Sequence, residues 1–251
     1  MNFARIAGVA LVLAWTDAAV AAPETTLTVL TYNIHHGAGR DGKLDLERIA
    51  RVVESAKADV VCLQEMDRNL SRTNREDFPA WFEKRLGIKA VFGCNYKFDD
   101  GEYGVAFFTK LPIVSSANTP LPNPKNVEPR GCLRVTVQWE GREVDVFNTH
   151  MGLKGPEREE QAAAVVKLID PKRPIILAGD MNEGVEAPGL KQFLAVLHDA
   201  LTPPEGSKDS KRIDHILVSD AFSVVDGRVM DNDETRIASD HLPRVATVTA
   251  K

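Results

Sequence analysis

The chain has 251 residues, 43% hydrophobic and 27% charged, with a formal net charge of -5. That length suits one large domain with a full core, and that balance excludes a disordered chain or a multi-span membrane protein. Net negative charge and an aromatic content of only 6% favour compact substrates over long nucleic acid, since they repel polyanions and offer no platform for stacked bases.

At the N-terminus, Arg5 precedes the apolar run 6–15, and the small-residue stretch 18–22 leads to Pro23. This is the three-part pattern of a secretory signal peptide, so residues 1–22 are expected to be removed, leaving a single domain over 23–251. Secretion or a periplasmic location follows, with no membrane span after processing. Cys62, Cys94 and Cys132 are too few for a disulfide framework and lack paired zinc spacing. Cys62 reads as core; the sequence leaves open whether Cys94 and Cys132 pair.

Residues 27–32 alternate apolar with polar and read as a strand ending at Asn33, followed by a loop marked by glycines at 37, 39 and 42. Asp45 can cap a helix carrying Leu46, Ile49, Ala50 and Val53. The apolar run 59–63 is a strand that ends in Gln64 and Glu65. A helix over 78–86, a strand near 90–93, a turn at Asp99-Asp100-Gly101 and a strand over 105–108 come next. Ile113 and Val114 open another strand, and a loop over 120–126 passes through Glu128-Pro129-Arg130 into a strand at 133–137. Glu140-Gly141 joins it as a hairpin to the strand 144–147, which ends in Asn148-Thr149-His150.

Pro156 can start a helix with Gln161, Ala162 and Val165. The buried run 174–178 ends in Gly179-Asp180-Met181-Asn182. A short helix near 190–197, a loop over 202–211, strands over 213–218 and 222–229, and a closing strand at 245–249 complete the chain. Before the last strand lies Ser239-Asp240-His241.

Apolar strands ending in Asn33, Glu65, His150, Asp180 with Asn182, and Asp240 with His241 would gather carboxylates, amides and imidazoles at one sheet rim. Oxygen donors in such a set suit a hard divalent cation better than tetrahedral zinc.

In order along the chain, Thr31-Tyr32-Asn33, Gln64-Glu65, Tyr103-Gly104-Val105-Ala106, Asn148-Thr149-His150, Gly179-Asp180-Met181-Asn182, Arg212-Ile213-Asp214-His215 and Ser239-Asp240-His241 resemble the motifs of the endonuclease/exonuclease/phosphatase superfamily. The resemblance runs from Leu27 to Val248. It implies an α+β fold of four layers, α-β-β-α, in which two mixed β-sheets pack face to face with helices outside. It also implies hydrolysis of a phosphoester with Mg2+, for which Mn2+ could substitute. Carried over by position, Glu65 would be the principal metal ligand, with Asn33 and Asp240 beside the cation. Asp180 would orient or deprotonate the attacking water and Asn182 would hold a phosphoryl oxygen. His241, paired with Asp214, and His150 would stabilise transition-state charge.

Two features depart from the common pattern. Many members carry Asn where Val105 stands, so one phosphate contact is missing or comes from elsewhere. Asn33-Ile34-His35-His36-Gly37 is instead similar to a bacterial branch of the family, in which His36 and Arg130, with Tyr103 of the third motif, would be substrate contacts. The resulting expectation is a secreted, monomeric phosphodiesterase or phosphatase acting on a small or lipid-linked phosphate. A nuclease is the alternative, and a binding module that kept the fold without catalysis is a third reading.

Overall fold

The computed structural model describes residues 25–201 and 212–251. The expected signal peptide over 1–22 and the loop 202–211 lie outside the described residues. Twelve strands are described: β1 Thr26–Asn33, β2 Val60–Arg68, β3 Lys89–Phe98, β4 Gly101–Thr109, β5 Ile113–Pro120, β6 Gly131–Trp139, β7 Arg142–His150, β8 Ile175–Asp180, β9 His198–Asp199, β10 Asp214–Val218, β11 Phe222–Val229 and β12 Arg244–Ala250. They form two six-stranded sheets, in the orders β11-β12-β1-β2-β4-β3 and β5-β6-β7-β8-β10-β9. Each sheet is antiparallel except for one central parallel pair, β1 with β2 and β7 with β8.

Parallel neighbours need a long crossover. Helices α1 Leu46–Ala56 and α3 Gly155–Val166 supply it in the two sheets. The Asp45 side chain accepts from the Arg48 N–H at the start of α1, and Asp77 does the same for Ala80 in α2 Phe78–Leu86. These caps satisfy amides that have no partner within the helix. Two shorter helices are α4 Pro188–Leu194 and α5 Asp233–Ala238. The sequence reading did not anticipate α5, whose six residues are opened by a capping box between Asn232 and Thr235.

The alternation of the strands divides the apolar side chains into three buried layers. Leu27, Cys62, Val105, Val135, Val146 and Ile176 meet between the sheets. Leu30, Leu63 and Phe108 turn the other way, onto α1 and α2 through Ile49, Val53 and Phe82. Phe147 and Leu177 pack on α3 and α4 through Ala162, Val165, Leu190 and Phe193. The architecture is the four-layer α-β-β-α sandwich. All three cysteines are free, with Cys62 and Cys132 buried. Among the described residues, no helix is long and apolar enough to cross a membrane.

Candidate active site

The two parallel pairs decide where the polar strand ends meet. In the first sheet, Asn33 is in register with Gln64. In the second, His150 is in register with Asp180, and Asp180 with Asp214. Both sets lie at the same end of the sandwich, because the Asn33 amide Nδ2 donates across to Glu65 Oε1 and Asp180 Oδ2, each at 3.0 Å.

Glu65 reaches that cleft through a bulge. The β2–β4 register shifts between Gln64 and Met66, and Glu65 takes φ 60°. A left-handed backbone at a non-glycine costs on the order of 1 kcal/mol and is kept where it aims a side chain. Burial would raise the Glu65 carboxyl pKa. The His36 imidazole, whose Nδ1 is 3.6 Å away, and the Asn33 amide are among the interactions that outweigh burial and hold it down to about 2.

Beneath Glu65 the sheets are joined by polar side chains. Asn148, fully buried, donates from Nδ2 to the carbonyls of Leu63 at 3.1 Å and Ala106 at 2.9 Å, and its Oδ1 accepts from Gln64 Nε2 at 2.8 Å. A buried amide is tolerated only when its hydrogen bonds are made. Here they anchor the bulge of one sheet to the central strand of the other.

His150 is neutral. Arg130 Nη1 lies 2.9 Å from His150 Nδ1, and since a guanidinium can only donate, Nδ1 must accept and the ring proton sits on Nε2. That proton points toward Asp180 Oδ2, 3.5 Å away. Burial, then the charge of Arg130, pushes the His150 pKa down to about 3. His241 is the opposite case. Its Nδ1 donates to Asp214, 2.9 Å from Oδ2 and 3.1 Å from Oδ1, and its Nε2 lies 3.7 Å from Asp180 Oδ2. Burial alone would lower its pKa, but Asp214, Asp180 and Asp240 raise it to about 9, so the ring is an imidazolium at neutral pH.

Asp180 lies between the two imidazoles. Burial and the neighbouring Asp214 lift its pKa to about 7, against the donors His241, Asn33 and the Asn182 N–H at 2.9 Å. Asn182, at φ 53°, spends one amide hydrogen on the Met151 carbonyl at 2.9 Å. Ser239 ties the last loop to the first strand. Its hydroxyl donates to the Asn33 carbonyl at 2.8 Å and accepts from the His241 N–H at 3.2 Å.

The structure therefore brings together Asn33, Glu65, His36, His150, Arg130, Asp180, Asn182, Asp214 and His241. Tyr103 is nearby, buried on the inner face of β4, with Glu65, Glu128, Arg130 and Arg72 all acting on its hydroxyl. Asp240 is placed differently from the expected ligand. It is exposed, its carboxylate lies 3.3 Å from the Ser239 hydroxyl, and its backbone carbonyl accepts from Arg40. Among the described residues, the carboxylate and imidazole atoms that converge within 4.8 Å belong to Asp180, Asp214 and His241. His241, protonated and bound to Asp214, is a poor ligand, which leaves Asp180 as the cation-facing member of that group. Asn33 also differs from a simple ligand. Its Oδ1 accepts from the His35 N–H at 3.0 Å, so its NH2 faces the carboxylates as a bridge.

The donor set still fits a divalent cation. Glu65 is ionised, it shares the Asn33 amide with Asp180, and Asp180 is buried next to Asp214, so the carboxylate oxygens of the cleft suit a hard cation. Sequence reasoning missed the buried Asp67, which pairs with the exposed Arg72, and the inter-sheet role of Asn148. An acid two residues beyond Glu65 was the available signal for the first.

A family model described as Endonuclease/Exonuclease/phosphatase family matches residues 30–241. The chain belongs to this family. Among its relatives is the uncharacterised protein YbhP of Escherichia coli strain K12, 26% identical over 168 residues, a match that covers 62% of this chain and 66% of that protein. The chain thus spans just under two thirds of the length of the curated relatives it matches. An endonuclease/exonuclease/phosphatase from Beutenbergia cavernae superposes with a TM-score of 0.79 at 28% identity, over 90% of this chain and 72% of that one. The mannosyl-6-phosphatase Bt3783 of Bacteroides thetaiotaomicron gives 0.70 at 24%, over 89% and 99%, and shows the fold alone. Where many family members carry Asn, Val105 is wholly buried between the sheets, so that position offers the substrate no amide.

Proposed function

We propose that the protein is an exported, magnesium-dependent hydrolase of a small or lipid-linked phosphoester. The observation that carries the reading is the convergence of Glu65 and Asn33 from one sheet with His150, Asp180 and the Asp214–His241 pair from the other. Glu65 and Asp180 would hold the cation, with Asn33 bridging the two carboxylates. The chemistry such a cation supplies is Lewis-acid offset of the charge that builds on phosphoryl oxygens during in-line attack. Asp180, held between His150 Nε2 at 3.5 Å and His241 Nε2 at 3.7 Å, would orient the attacking water beside the cation. The His241 imidazolium and the His150 Nε2–H donate to the oxygens that gain charge, and a donor preorganised in this way supplies about 3 kcal/mol. The remaining Asn182 amide hydrogen supplies a further contact, with Arg130 holding His150 in its tautomer.

The net charge of -5 favours compact substrates over nucleic acid. A panel of inositol phosphates, glycerophospholipids, sphingomyelin, bis-p-nitrophenyl phosphate and plasmid DNA, each with magnesium, tests this. Turnover is expected on the small or lipid-linked members, and exclusive cleavage of plasmid DNA would replace the reading with a nuclease. Export rests on Arg5, the apolar run and the alanine-rich stretch before Pro23. Mass spectrometry of the protein from its native host should find an N-terminus near Ala22 or Pro23, and a mature chain beginning at Met1 would refute export.

A further inference from the structure

Two residues beyond Glu65 on β2, the chain buries an acid that the reaction does not use. Asp67 has 0% exposure and stands opposite Tyr103 on β4. Its carboxylate accepts from Arg72 Nε at 2.8 Å and Nη2 at 2.6 Å, and from the Thr73 hydroxyl at 3.1 Å. Burying a carboxylate beneath a guanidinium that is itself partly in water is a poor route to stability. What the pair does provide is direction.

Arg72 is held along one edge by Asp67, and its guanidinium carbon lies 5.3 Å from the centre of the Tyr103 ring and 5.7 Å from that of Phe98. Tyr103 is two residues from Val105, which packs between the sheets, so both face the inter-sheet cleft. The loop carrying Arg72 is fixed by left-handed residues at Asn74 and Arg75 and by the Ser71 N–H donating to Asp99 at 2.8 Å. The Arg72 side chain is 40% exposed, and Nη1 makes no hydrogen bond among the described residues. The Nη1–Nη2 edge of the fork is therefore the one not turned to Asp67, and its two-pronged geometry suits an oxyanion. Arg130, by contrast, is committed to His150 and Glu128.

We propose that Arg72 is a specificity-determining residue that binds a second anionic group of the substrate, a phosphate or carboxylate carried beside the scissile phosphoester, and that Asp67 is its positioning residue. The proposal rests on the hydrolase reading above and narrows its substrates to those with two anionic groups. Arg72→Lys keeps the charge and loses the fork. The double variant Asp67→Asn/Arg72→Gln removes the guanidinium without stranding a buried carboxylate, so it protects the test against misfolding.

The test compares inositol 1,4-bisphosphate with inositol 1-phosphate, and 3-phosphoglycerate with glycerol 3-phosphate, in magnesium buffer. The wild type should prefer the doubly anionic member of at least one pair. Both variants should raise KM for that member about tenfold or more, leaving kcat and the singly anionic partner unchanged; which pair responds separates phosphate from carboxylate. Equal losses on both members, no loss on either, or a wild-type preference for the singly anionic members would overturn the proposal. If the wild type turns over none of the four, the hydrolase reading is what fails on them. Calorimetry then decides Arg72: pyrophosphate should bind more tightly than inorganic phosphate, and the variants should abolish the difference. Retention of that difference would overturn the proposal.

Discussion

His150 and His241 stand on either side of Asp180, 3.5 and 3.7 Å from the same oxygen, yet carry opposite charge states because their Nδ1 atoms meet opposite partners. Arg130 can only donate, so it keeps His150 neutral; Asp214 can only accept, so it keeps His241 charged. The consequence is visible in pH. In the metal-free protein the folded-state pKa of His241 is raised to about 9, above the ordinary value of about 6.5. Its stabilising contribution is then complete below about pH 6.5 and is lost as pH rises through about 9. Asp180, also raised, to about 7, acts in the same direction, favouring the metal-free fold less as pH rises between the ordinary carboxylate range and neutrality. NMR of the His241 ring should show titration near 9 in the wild type and a clear shift toward 6.5 in Asp214→Asn. An unshifted titration would remove Asp214 from its role. In turnover, His241→Ala should cost about a hundredfold or more, and adding Asp214→Asn should cost little further, since groups acting as one unit are not additive.

The elements matter through their ends. Asn148 occupies a strand position that must face inward, yet it is an amide, and the structure shows why: it satisfies carbonyls beside the β2 bulge that carries Glu65. Asn148→Ala should leave two buried carbonyls and the Gln64 amide without it, costing about 3 kcal/mol. Denaturant unfolding measures this, and a loss below about 0.5 kcal/mol would show that the amide bridge is dispensable. The strands were legible because alternation and turn residues survive in a single sequence, and the polar ends of β1, β2, β7 and β8 pointed to one rim. The register that sets His150, Asp180 and Asp214 side by side was not, since strand pairing is a long-range choice that local pattern does not encode. For the same reason β3 was anticipated near 90–93 but runs over Lys89–Phe98. Helix α5 escaped because six residues held by a capping box leave almost no periodic signal. The surface position of Asp240 was equally hidden, as adjacent residues on an irregular segment can face opposite ways.

For the whole molecule, two sheets, each with one parallel pair at its centre, deliver their polar ends to a common cleft, and the Asn33 amide spans the gap between them. The sandwich is apolar in three layers and brings the carboxylates of Glu65, Asp180 and Asp214 to one end. Those converging carboxylates are why a cation should be integral to the site rather than incidental. Glu65 is the residue on which this depends most, being ionised, aimed inward by a left-handed backbone and shared with Asp180 through one amide. The most direct test is the turnover of a phosphoester identified by the substrate panel, followed in chelator, after magnesium is restored, and with Glu65→Gln. The expected result is no turnover in chelator, full recovery with magnesium, and a loss of about a hundredfold or more in the variant at saturating magnesium. Undiminished turnover in chelator, or a Glu65→Gln enzyme as fast as the wild type, would contradict the account.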